Sequence, residues 1–167
     1  MAFLEPRSLQ KDDPVADFDS GNEELNTYIR RFAFQSQQSQ SAKSYVTFTD
    51  TGKLAGYYTL AYGSVEYAEA PARTKKGLPR HPVPVMILAR LAVAREFQHA
   101  GLGKQLLRDA LLRTLQAAEI AGLRAIVVQA KDAHAKCFYE HYRFEPFPSD
   151  PLKLTLLLKD LRALVGG

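Results

Sequence analysis

The order of elements legible in the chain predicts a single-domain mixed α/β (α+β) fold, a mostly antiparallel sheet with helices on both faces. Three observations carry that expectation. Val85 to Val93 is a nearly continuous apolar run, the composition of a central strand covered on both sides. A turn containing Gly101 and Gly103 follows it, and Leu102, Leu106, Ala110 and Leu111 then recur on one helical face. Upstream of both lies a strand-turn-strand pattern, so the order β, α, β, β, β, α, β, α, β departs from the regular alternation of a doubly wound fold.

Each element has a local reason. Phe3 to Leu9 reads as a short first strand that Pro6 confines to an edge. Ser20 with Glu23 forms a capping box ahead of Leu25, Tyr28, Ile29, Phe32 and Ala33, which predicts a helix from about Asn22 to Ser36. The Gln/Ser run from Gln35 to Ser41 frays it into a loop. Tyr45 to Thr49 and Leu54 to Val65 flank Asp50-Thr51-Gly52, a hairpin. Ala68 to Pro84 is a long connection with four prolines and no periodicity. The helix after the central strand runs to about Ala121 and closes at Gly122. Ala125 to Ala130 is a second buried strand. Asp132 caps a helix through Tyr142, and the last strand is Leu152 to Leu158.

Composition sets the bounds. The 167 residues fit one domain with a core of its own. The N-terminal ten residues have no signal-peptide h-region and no apolar run approaches a membrane span, so the expected place is the cytoplasm. One cysteine, Cys137, excludes an intrachain disulfide. The histidines at 81, 99, 134 and 141 lack ligand spacing, so no metal is expected. The net charge of +4 favours acidic ligands without naming one.

The turn after the central strand carries the chemistry. A helix N-terminus leaves amides without intrahelical partners at the positive end of the helix dipole, and anions bind there. Glycine at 101 and 103 lets a ligand approach the backbone, and Lys104 adds a charge. A Walker A loop fails at Gln98 and Gln105, and a dinucleotide fingerprint fails at Leu106. What fits is Q-x-x-G-x-G, spelled by Gln98, His99, Ala100, Gly101, Leu102 and Gly103. This resembles the acetyl-CoA pyrophosphate loop of the GCN5-related N-acetyltransferases (GNAT), whose element order matches nearly the whole chain. The resemblance implies that the loop amides, with Lys104, hold the pyrophosphate of acetyl-CoA. It also implies that the central strand splays from its neighbour and pairs with the pantetheine arm through Leu91, Ala92 and Val93.

The segment Ala135, Lys136, Cys137, Phe138, Tyr139, with Phe144 beyond, resembles the A-x-x-F-Y helix of that family. There the tyrosine commonly protonates the departing thiolate, which makes Tyr139 the expected general acid. By itself Tyr139 reads more readily as a core aromatic on a helix face, and it is the loop upstream that turns the reading to general acid. Cys137 as a nucleophile is disfavoured, because it lies two residues from Tyr139 and thus on another helix face. The family often has glycine where Arg143 stands, so a differently shaped turn is expected there. No carboxylate occupies an obvious base position, which tilts the acceptor toward α-amines, with pKa values near neutrality, rather than lysine side chains.

Phe18-Asp19-Ser20-Gly21, Gly56-Tyr57-Tyr58-Thr59-Leu60, and Pro84 with Ile87-Leu88-Ala89-Arg90-Leu91-Ala92-Val93 narrow the resemblance to acetyltransferase toxins of bacterial toxin-antitoxin pairs. That likeness implies aminoacyl-tRNA as acceptor, a block of translation, a ribbon-helix-helix antitoxin and a homodimer. Arg73, Lys75, Lys76, Arg80 and His81, with Arg30, Arg31, Arg90 and Arg95, are the cations that could hold RNA phosphates. The basic run between strands is also what a solvated loop looks like. The alternatives are an acetyltransferase for a small amine, peptide or protein N-terminus, and a non-catalytic module that binds coenzyme A or RNA.

Overall fold

The computed structural model describes residues 2–165. In chain order the strands are β1 (Arg7–Ser8), β2 (Lys43–Phe48), β3 (Leu54–Val65), β4 (Val83–Val93), β5 (Ala125–Gln129), β6 (Glu145–Phe147) and β7 (Asp150–Leu157). The helices are α1 (Glu23–Thr27), α2 (Ala33–Gln38), α3 (Ala72–Lys75), α4 (Leu102–Ala118), α5 (Ala133–His141) and α6 (Leu158–Val165). The strands hydrogen-bond in the order β1-β2-β3-β4-β5-β7-β6, and of the pairs whose registers follow only β4 with β5 is parallel. The mixed, mostly antiparallel sheet expected from the sequence is what forms. Contacts group the chain into two compact units, residues 1–61 with 89–110 and residues 62–88 with 111–167.

In the first unit, β2 and β3 pair from Lys43↔Leu60 to Phe48↔Leu54 with an irregularity at Thr47/Phe48. The first strand is shorter than expected. Phe3 makes an isolated bridge to Thr49, and only Arg7 and Ser8 form a ladder with β2, because Pro6 interrupts the donors between them. Tyr57, Tyr58, Val46, Leu106 and Leu107 are almost fully buried here. The predicted helix 22–36 exists but carries a π turn over Tyr28–Phe32 between α1 and α2, with Ala33 N–H reaching Tyr28 O. Nothing in the local sequence signals that inserted residue. The cap also differs: Asn22 accepts from Leu25 N–H at 3.1 Å, while Ser20 stands too far upstream and turns to other partners.

In the second unit, β4 and β5 pair in parallel from Val85↔Ala125 to Leu88↔Val128, and β7 runs antiparallel to both β5 and β6. Val65, Val83, Val85, Ala125, Val127, Phe147 and Leu157 form one buried cluster. Besides the short α3, two elements were not foreseen. The three-residue β6 contains Pro146 and is too short to show a period. α6 follows β7 with no intervening turn residue, so its apolar positions read as a continuation of the strand. The long connection contains the four-residue α3, pinned by Arg124, whose Nε donates to Thr74 O at 2.8 Å and whose Nη2 donates to Lys76 O at 3.1 Å.

Thr74 itself is 1% exposed and its hydroxyl has no hydrogen-bond partner among the described residues. A buried hydroxyl without a partner costs free energy that a methyl group of similar shape does not. Thr74→Val is therefore expected to stabilise the protein by about 1 kcal/mol, a rise in Tm of roughly 2–4 °C by calorimetry. A lower Tm would mean that the hydroxyl is satisfied in solution.

Candidate active site

Helix α4 begins with an open first turn. Its first backbone bond runs from Gln105 N–H to Gly101 O at 3.2 Å, so the amides of Leu102, Gly103 and Lys104 precede the ladder. Just before them, His99 and Gly101 take left-handed angles, φ 67° and 84°. Left-handed residues alternating with ordinary ones turn successive amides to one concave side, which suits an anion. A Cβ on Gly101 would meet nothing within 4 Å, so the dihedral and not crowding calls for glycine there. At Gly56 the reason is the reverse. A Cβ would come within 2.9 Å of Ala92 O and of Leu106 Cδ1, so only glycine lets β3 lie this close to the end of β4.

Gln98 holds the loop in place. Its Nε2 donates to Val93 O at 2.9 Å and to Ser20 O at 2.8 Å, tying both ends of the turn to fixed backbone. Ser20 is in turn anchored, with its N–H and Oγ donating to Asn26 Oδ1 at 2.7 and 2.8 Å. Asn26, 2% exposed, donates to Asp19 Oδ1, and Asp19 Oδ2 meets Arg95 Nε at 3.1 Å. The Gly21 amide, then Asn26 and Arg95, hold the Asp19 carboxyl below the usual carboxylate range. Sequence reasoning flagged the Phe18–Gly21 pattern without a physical role; its role is to brace this loop.

Leu91, Ala92 and Val93 end β4. The pairing with β5 stops at Leu88↔Val128, so these three residues have no β5 partner across the ladder. Apart from the Val93 carbonyl, which accepts from Gln98 Nε2, no β5 ladder bond occupies their backbone groups, and an extended ligand could pair with them there.

Tyr139 lies on α5, which Asp132 caps by accepting from Ala135 N–H at 2.8 Å. Its ring is 6% exposed and packs edge-on against Phe138 and Phe144, centroids 5.2 and 5.4 Å away. Burial pushes the phenol pKa up, and no charged or hydrogen-bonding neighbour among the described residues pulls it back. The group is a protonated donor whose proton is not committed elsewhere. Cys137, on the same helix, is exposed. In the turn after α5, Arg143 takes a left-handed angle, φ 72°, the conformation that glycine favours.

The arginines and lysines among the candidate RNA cations behave differently from one another. In the first unit, Arg30 donates to Phe18 O and faces Glu23 at 3.6 Å, Arg95 is held by Asp19, and the Arg90 guanidinium lies 3.7 Å above the Tyr28 ring. Arg31 is exposed. In the second unit, Arg73 pairs with Asp160 at 2.8 Å and Lys75 sits over Tyr67, while Lys76 and Arg80 are exposed. Among the described residues no cluster of His, Cys, Asp or Glu could hold a metal, and no helix is long and apolar enough to cross a membrane.

Residues 41–146 match the family described as acetyltransferase (GNAT) domain. Over 164 residues, 98% of each chain, the sequence is 47% identical to the tRNA-acetylating toxin of Mycobacterium tuberculosis. Among solved structures, AtaT complexed with acetyl-methionyl-tRNAfMet is similar with a TM-score of 0.88 at 25% identity, covering 98% of this chain and 99% of that one. AtaTR bound with AcCoA is similar with a TM-score of 0.82 at 26% identity, covering 98% and 96%.

Proposed function

The chain belongs to the GNAT acetyltransferases, enzymes that use acetyl-CoA, and from that premise we propose that it is a toxin that acetylates the α-amine of aminoacyl-tRNA and so blocks translation. The observation that carries the reading is the 47% identity to a tRNA-acetylating toxin across nearly the full length of both chains. The site is compatible with it throughout. Acetyl-CoA supplies the activated acetyl group. The amides of Leu102, Gly103 and Lys104, within the loop Gln98–Lys104, receive its pyrophosphate, with the Lys104 side chain as counter-charge. The edge of Leu91–Val93 that β5 leaves uncovered lies along the pantetheine arm and aligns the thioester. Tyr139 keeps a proton through the neutral range and delivers it to the sulfur as the amine displaces it. An aminoacyl α-amine is partly unprotonated at neutral pH and requires little help from a base, unlike a lysine side chain.

On the same reading, the exposed cations Arg31, Lys76 and Arg80 bear most on RNA phosphates, while Arg90 and Lys75 lie over the Tyr28 and Tyr67 rings. Arg30, Arg73 and Arg95 hold internal acceptors or carboxylates and act first as braces. The chain acts in the cytoplasm, where charged tRNA is found, as a homodimer held in check by a ribbon-helix-helix antitoxin. The deciding experiment incubates the protein with radiolabelled acetyl-CoA and charged tRNA, beside uncharged tRNA and a panel of small amines. Label on charged tRNA alone is expected. Label on small amines alone would replace this reading with a small-molecule acetyltransferase.

A further inference from the structure

A concave pocket of about 300 Å³ in the second unit is lined by Arg73, Lys76, Arg124, Lys159 and Arg162. These cations come from three separate stretches: α3 and its end, the residue before β5, and α6. Leu158 and Leu161 bury the inner face of α6, which leaves Lys159 and Arg162, three residues apart, on its outer face. Arg124 locks the parts together. Its side chain donates to the carbonyls of Thr74 and Lys76, its N–H donates to Pro84 O, and its own carbonyl accepts from Leu158 N–H. Arg73 is neutralised by Asp160, whose carboxyl is held below the usual range chiefly by that hydrogen bond. Glu145 is the other acid whose charge reaches Arg73. Lys76, Lys159 and Arg162 make no ion pair among the described residues.

Gathering like charges around a hollow costs repulsion that a bound anion removes. The larger cavity of the first unit, about 690 Å³, offers a contrast: there Asp13, Asp19 and Glu96 pair off with Arg7, Arg95 and Lys53. We propose that the pocket formed by Lys76, Arg124, Lys159 and Arg162 is a phosphate-binding site that holds the sugar-phosphate backbone of the RNA substrate. A single hollow ringed by lysine and arginine matches a compact tetrahedral phosphodiester better than the carboxylates of an acidic peptide, which are spread along a chain. The proposal rests on the RNA reading given above and adds two residues of α6 and Arg124 to it.

The test is the double charge reversal Lys159→Glu/Arg162→Glu, beside the conservative pair Lys159→Arg/Arg162→Lys. Affinity for uncharged tRNA is measured over a salt series, and acetyl transfer is followed to a small aminoacyl ester. The reversed variant is expected to bind tRNA at least about tenfold more weakly, with its slope of log K against log salt reduced by about one to two. The conservative pair should bind as the wild type does. Acetyl transfer to the small ester and the Tm should be unchanged in both. Unaltered tRNA affinity and slope would overturn the proposal, as would a loss confined to binding of an acidic protein partner. A wild-type protein that binds no tRNA would overturn it as well. If tRNA binds through the pocket but is never acetylated, the pocket stands and the toxin reading falls.

Discussion

Gly101→Asp is expected to weaken acetyl-CoA binding severely while leaving the fold intact. The substitution acts on the anion site in two ways. Residue 101 immediately precedes α4, and an aspartate there can accept from the same amides that otherwise face the ligand, filling the site from within. Its charge also meets the pyrophosphate. At ~4 Å and an effective dielectric of ~20, that repulsion is about 4 kcal/mol. A loss of two to three powers of ten in affinity is the expected reading by titration calorimetry, after allowance for screening. Gly101→Ala separates the causes. It adds a Cβ into open space at φ 84°, so it strains the turn without adding charge and should weaken binding far less. Equal affinity in Gly101→Asp and the wild type would remove the pyrophosphate from this loop.

Tyr139→Phe should retain acetyl-CoA affinity and lower kcat by a factor on the order of 100, within the span of a lost general acid. The phenol makes no hydrogen bond among the described residues, so its removal breaks no internal contact and Tm should hardly move. The pH dependence follows from the same burial. A raised pKa favours the protonated form, so the donor is fully present below the ordinary phenol value of about 10 and is lost only as pH climbs beyond it. The rate should therefore rise with pH as the acceptor amine deprotonates near about 8, then level off. A descending limb between pH 7 and 9 that vanishes in the phenylalanine variant would place the phenol pKa low and refute the buried donor. A kcat unchanged by the substitution would make Tyr139 a packing residue.

Much of this was written in local pattern. The Val85–Val93 run, the Gln98–Gly103 motif and the periodic face of α4 are adjacent in sequence, and a strand, a turn and a helix N-terminus each depend on neighbouring residues. Asp132 as cap and Tyr139 on its helix were legible for the same reason. The π turn over Tyr28–Phe32 was not, since one inserted residue leaves the apolar pattern nearly unchanged. α6 was hidden because its leucines continue those of β7 without a breaker.

What the sequence by itself determined was therefore the order of the longer elements, the glycine-bearing turn ahead of α4 and the helix that carries Tyr139, each set by periodicity and turn chemistry over a few residues. Tertiary structure alone decided that Gln98 is latched to Ser20 across 78 residues and that Arg73 is neutralised by Asp160 across 87. It alone collected Lys76, Arg124, Lys159 and Arg162 around one hollow. Hydrogen bonds and charges act over a few ångströms in space, whatever the separation along the chain, and a single sequence does not state which distant residues the fold makes neighbours.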